Sequence, residues 1–195
     1  MLPTVPSCAP LGAGVASAAL SAGVAPMRDG GPAAATDGAD RAARHLREDR
    51  LLRILGATHV STACGIVLFW VGFYSGVSFP KEELAPRIQH FEGYYAWETS
   101  FTVPDGLLAL VLLVGGVMLL RAPRSELART LLMAGSGALI FLGVLDFVYD
   151  YSQGMYALGH WFSWTLLFVA LTLPPLGLAT VVLLHRLGPR SASEA

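Results

Sequence analysis

Apolar residues fall into four long runs, at residues 54–77, 104–120, 128–148 and 161–184, with more polar stretches between them. A helix needs roughly 20 apolar residues, at about 1.5 Å of rise each, to cross about 30 Å of hydrocarbon. The run at 104–120 is the shortest, and Phe101 and Val103 extend it outward. Backbone exposed to lipid must satisfy its own hydrogen bonds, so each run predicts a helix. The expected fold is all-α, an integral membrane four-helix up-down bundle over residues 54–186. Residues 1–40 are rich in Ala, Gly, Pro and Ser and lack apolar periodicity, which predicts a disordered N-terminal tail. A secretory signal would need a basic residue ahead of an apolar core, and the first basic residue is Arg28. Met27 is an alternative start for the chain.

Composition agrees with lipid as the solvent. Hydrophobic residues make up 54% of the chain and charged ones 14%, against about 25% charged in soluble domains. A net charge of -1 offers nothing to nucleic acid. The two cysteines, Cys8 and Cys64, form no CxxC pair, which argues against thiol redox chemistry. Lys81 is the only lysine among many arginines, and Ala and Gly abound, a composition suited to a GC-rich bacterial gene.

Charge position predicts orientation. Residues 41–53, RAARHLREDRLLR, form a basic flank whose arginines recur at roughly helical spacing; it either orients the first span or binds anionic headgroups. Arg121, Arg124 and Arg129 lie around the loop between the second and third runs, and Arg186 and Arg190 follow the fourth. The other two loops, 78–103 and 149–160, hold only Lys81 and Arg87. The positive-inside rule then predicts a multi-pass cell-membrane protein with both termini cytoplasmic, including the tail 187–195.

Small residues line the first three runs: Thr58, Ser61, Thr62, Gly65, Gly72 and Gly76 in the first, Ala109, Gly115 and Gly116 in the second, Gly135, Ser136 and Gly143 in the third. These stripes read as packing seams, where backbones approach closely in lipid. Pro174-Pro175 predicts a kink or break in the fourth span. His59, near Thr58 and Thr62, reads as a packed hydrogen-bonding residue, with a proton relay as the competing role.

The candidate chemistry lies opposite the arginines. Asp105 stands sixteen residues from Arg121 and Asp146 seventeen from Arg129, which puts both about 25 Å from that boundary. Asp146 falls on the Gly135–Gly143 stripe and should face the bundle, with Asp150 one turn later on the same face. Two carboxylates at i and i+4 repel, and a helix C-terminus adds to the cost. A shared proton, a basic partner (Arg87, Lys81, His90 or His160) or a bound cation would compensate. The predicted outer pocket has Asp105 and Asp146 as its floor, Glu98, Asp150 and His160 at its rim, and Tyr149 beside it. Structural readings compete at each position. Thr102-Val103-Pro104-Asp105 matches a capping box with proline in the first turn, Asp150 could be a solvated loop residue, and Asp146 could bond Tyr149, Tyr94 or a neighbouring helix. The Asp, Glu and His set matches no metal-ligand spacing. The surrounding Tyr and Trp residues read as an interfacial belt. From Pro86, the residues Ile88, Phe91 and Tyr95 predict a short amphipathic turn that lies on the membrane or caps the bundle.

The segments WETSFTVPDGLLAL (97–110) and GALIFLGVLDFVYDYSQGMY (137–156) resemble small bacterial four-span membrane proteins of unknown function. The resemblance implies the four-helix fold and marks Glu98, Asp105, Asp146 and Tyr156 for mutation; it implies no activity. Three functions are expected in order: binding or movement of a small solute, proton or cation at the acidic pocket; a structural or accessory subunit without chemistry; and a lipid-modifying enzyme. The last ranks lowest because no nucleophile, metal motif or phosphate loop is visible. The expected partners are the bilayer and, through the seams, a second copy or another membrane subunit. No cofactor is implied.

Overall fold

The structure, a computed structural model, describes residues 32–187. Most of the residues read as tails, 1–31 and 188–195, therefore lie outside the described residues. The chain is all-helical there: α1 (Pro32–Tyr74), α2 (Lys81–Leu84), α3 (Phe91–Ser100), α4 (Thr102–Arg121), α5 (Glu126–Ser152), a 3-10 turn (Met155–Ala157) and α6 (Trp161–Arg186). Helix α1 begins inside the stretch expected to be disordered, so residues 32–40 are helical. The described residues from Ala39 onward form one packed unit.

Four helical stretches are long and apolar enough to cross a membrane: Asp40–Tyr74, Phe91–Arg121, Glu126–Ser152 and Trp161–Arg186. The second joins α3 to α4, because Phe101 between them keeps helical angles (φ -82°, ψ -10°). Ser125 caps α5 by accepting from the Ala128 amide at 3.3 Å, which satisfies one of the orphan donors of the first turn. Between α5 and α6 the chain turns through Gly154 (φ 68°) and Gly159 (φ 65°), left-handed conformations that favour glycine.

Close contacts identify the neighbours. A Cβ on Gly56 of α1 would lie 2.8 Å from the Gly116 carbonyl oxygen of α4, and the converse holds. Gly135 of α5 abuts Leu112 of α4, while Gly143 of α5 abuts Pro174 of α6. His59 of α1 reaches Thr180 of α6 at 3.3 Å and closes the ring. The expected seams of the second and third spans are thus contact surfaces. In the first span the expectation fails: the α1 contact is at Gly56, and a Cβ on Gly65 would meet nothing within 4 Å. Thr58, Ser61, Thr62 and Gly65 instead line a cavity. Gly76 lies beyond α1 with φ 76° and serves its turn. The Pro174-Pro175 pair leaves α6 unbroken, with Pro174 packed on Gly143.

His59 is fully buried. Its Nδ1 faces the Leu55 carbonyl oxygen at 2.8 Å, which can only accept, so Nδ1 carries the proton. Nε2 lies 3.3 Å from the Thr180 hydroxyl, whose one proton is shared with the Leu176 carbonyl at 2.9 Å. This geometry is that of a packed, hydrogen-bonded histidine.

Two ends differ in chemistry. At one, Arg124 meets Asp49 of α1 at 3.3 Å and Arg129 of α5 donates to the Leu184 carbonyl of α6 at 2.7 Å. This arginine end has an aliphatic core that includes Leu52, Leu119, Leu132 and Leu184. The core at the other, acidic end is aromatic, with Trp70, Phe73, Phe79, Tyr94 and Phe162. The expected aromatic belt accordingly splits. Tyr151, Trp161 and Trp164 are exposed, as a belt requires, whereas Tyr94 is fully buried, and Tyr149 stacks on Trp97 at 4.2 Å. The loop element after Pro86 is also more deeply set than a surface turn: Ile88 is buried, and the buried positions of α3 are Tyr94 and Glu98.

Candidate functional site

A cavity of about 640 Å³ opens within the bundle. Glu98 of α3, Asp105 of α4 and both Asp146 and Asp150 of α5 contribute to its wall. The equal depth expected for Asp105 and Asp146 from helix rise thus becomes a shared cavity. No lysine, arginine or histidine is among the lining residues.

Each carboxylate is held differently. The Trp70 indole Nε1–H of α1 donates to Asp105 Oδ2 at 3.1 Å. The expected capping box is absent: because α3 runs into α4 there is no free N-terminus to cap, and the Asp105 amide already donates to the Phe101 carbonyl at 2.8 Å. Thr102 donates its hydroxyl to the Thr99 carbonyl at 2.9 Å. Asp150 is not a solvated loop residue. It is 2% exposed, and the Tyr94 hydroxyl donates to its Oδ1 at 2.9 Å. That hydroxyl also lies within hydrogen-bonding reach of Glu98, which is 8% exposed, so one proton serves two buried carboxylates. Asp146 makes no side-chain hydrogen bond among the described residues, and lies within electrostatic reach of Glu98 and Asp105.

The other expected members stand apart. His160 caps α6, its Nδ1 accepting from the Phe162 amide at 3.2 Å, and its Nε2 faces Glu83 at 3.4 Å. It is not at the pocket rim. Tyr149 does not line the cavity; its ring packs behind the wall, between Trp97 and Tyr94. Of the proposed basic partners, Lys81 donates to the Tyr95 hydroxyl at 2.8 Å, and Arg87 and His90 are exposed. None of the three is a lining residue. Tyr156, singled out by the resemblance, has a buried hydroxyl without a partner among the described residues. Burial first, then the charges of Asp150, Asp146 and Glu98, raise its phenol above the ordinary range.

Compared with protein families, curated proteins and solved structures, the chain matches none. Its function must therefore be read from the residues themselves.

Most of the rest of the wall is close to apolar in effect. Thr58, Thr62, Thr165 and Thr172 all lie on it, but each donates its hydroxyl to the carbonyl four residues back, as at Ile54 (3.0 Å) and Phe168 (2.7 Å). Such hydroxyls have their proton satisfied within the helix. Ser61 and Ser78 supply the remaining wall hydroxyls, and the carboxylates lie towards one end. Among the described residues no three His, Cys, Asp or Glu side chains come together as a metal-binding group. Sequence reasoning missed Trp70 and Tyr94 as donors to the site, and no local signal could have found them: they lie 35 and 56 positions from their acceptors.

Proposed function

We propose that this chain is a membrane protein that binds a cation at the acidic end of its cavity and moves it or presents it from there. The observation that carries the reading is the convergence of Glu98, Asp105, Asp146 and Asp150 on one cavity without a basic side chain in its lining. Carboxylates gathered on one cavity and shielded from water either take up protons or hold positive charge nearby, because neither burial nor mutual repulsion is otherwise offset. An ionisable group within a membrane helix is a functional candidate for that reason.

Orientation is part of the proposal. The arginine end carries Arg121, Arg124 and Arg129, and the positive-inside rule places it in the cytoplasm. The acidic end then faces the outer leaflet. A reporter fused after Ala195 is expected to read cytoplasmic and one inserted in the loop at Gln89 to read external; the reverse pattern would remove the outward-facing site.

Uptake and binding of monovalent cations in proteoliposomes test the chemistry. Asp146→Asn and Glu98→Gln are each expected to reduce cation binding at least about tenfold, equivalent to about 1.4 kcal/mol. Asp146→Glu is expected to restore part of it. Equal binding by wild type and both neutral variants would end the proposal.

A further inference from the structure

We infer that the cation is the head of an amphiphile, a singly charged ammonium on an alkyl chain that enters sideways from the surrounding lipid. This rests on the cation-binding reading and adds the ligand class and its route.

Three observations point that way. The first is size and shape. About 640 Å³ is in the range of cavities that hold small organic molecules, roughly 300–1,000 Å³, and far beyond what a bare ion fills. Its α1 wall runs from Trp70 to Thr58, a length of about 18 Å at helical rise.

The second is the mouth. Leu68 of α1 and Phe168 of α6 both line the cavity, yet they are 68% and 67% exposed. The opening therefore lies between α1 and α6, on a flank that meets acyl chains in a membrane. The two helices touch at His59 and Thr180. Gly65, whose Cβ would meet nothing within 4 Å, leaves room on that wall.

The third is how the polarity is distributed. The four threonine hydroxyls of the wall are bonded back to their own helices, whereas the Glu98 carboxylate, more than nine-tenths buried, faces the cavity with only the Tyr94 proton that it shares with Asp150. A site with an apolar length and a negative end complements an apolar tail with a positive head. The carboxylates do not form a compact chelating group, so a diffuse ammonium suits them better than a small divalent ion. A zwitterionic phospholipid suits them less, because its phosphate would lie close to the same carboxylates.

The test uses the full chain in phosphatidylcholine nanodiscs, with empty nanodiscs as the baseline for partitioning. Dodecyltrimethylammonium, tetramethylammonium and dodecyl sulfate are titrated separately. Saturable binding above the baseline is expected for dodecyltrimethylammonium, with tetramethylammonium at least about tenfold weaker and no saturable binding of dodecyl sulfate. Gly65→Leu, whose Cβ meets no neighbour within 4 Å, is expected to weaken the alkyl cation at least about tenfold more than it weakens tetramethylammonium. Glu98→Gln and Asp146→Asn are expected to weaken both cations. If tetramethylammonium binds as tightly as the alkyl cation, or Gly65→Leu has no effect, the amphiphile inference fails and cation binding stands. If neither cation saturates, or the acid variants bind both as wild type does, both readings fail.

Discussion

Gly177→Leu is expected to leave little properly folded protein. A Cβ at this position of α6 would lie 2.6 Å from the Ser136 carbonyl oxygen of α5 and 2.8 Å from Ile140 Cγ1. Leucine adds three further carbons to that collision. The oxygen belongs to helical backbone and cannot rotate away, so the two helices must separate along their contact. Overpacking typically costs about 1–3 kcal/mol, and a rigid obstacle puts this case at the upper end or beyond. Total stability of a domain is of order 5–15 kcal/mol, so the loss should appear as aggregation on gel filtration and a lowered thermal midpoint in detergent. Gly137→Leu is the control, since a Cβ there meets nothing within 4 Å. Equal behaviour of the two variants would mean that α5 and α6 do not meet at Gly177.

The second large effect is expected at Tyr94. The ring is fully buried, stacked 5.9 Å from Tyr149 and 6.2 Å from Phe79, and its hydroxyl supplies Asp150. Truncation to alanine should cost about 3–5 kcal/mol for the lost aromatic packing, with a further 1–3 kcal/mol, roughly, for a buried acceptor left without its donor. Tyr94→Phe keeps the ring and isolates the second contribution. Thermal unfolding of Tyr94→Phe, Asp150→Asn and the double variant would give a coupling energy, expected at about 0.5–3 kcal/mol. A Tyr94→Phe midpoint equal to wild type would show that Asp150 draws its hydrogen bond from elsewhere. Tyr94 matters to the site as well as to stability, because α3 brings Glu98 to the cavity and Tyr94 ties α3 to α5.

Much of the fold was legible because hydrophobic length is a one-dimensional property. All four apolar runs became membrane-length helices; Glu126–Ser152 and Trp161–Arg186 match the expected bounds closely, whereas the first two begin earlier, at Asp40 and Phe91. The depth of Asp105 and Asp146 was equally accessible, since helical rise converts residue counts into distance along an axis. The role of each carboxylate was not. The local match at Thr102–Asp105 to a capping box was overridden because α3 continues into α4 through Phe101. His160, expected at the rim, turned instead to its own helix and to Glu83.

The small-residue stripes show the same division. Glycine at Gly65 and glycine at Gly116 read alike along the chain, because each simply lacks a side chain. One borders an open cavity and the other presses on a neighbouring backbone. Which of these occurs depends on where the adjacent helix lies, and that is decided by all the contacts together. The residue pattern alone determined that the chain forms four membrane-length helices, with arginines at one end and carboxylates at the other, since transfer from water to lipid acts residue by residue. Only the tertiary structure decided that four acids from three helices share one cavity, that Trp70 and Tyr94 serve three of them, and that the cavity opens between α1 and α6. Those features depend on distances between segments far apart in the chain, and local propensity carries no information about them.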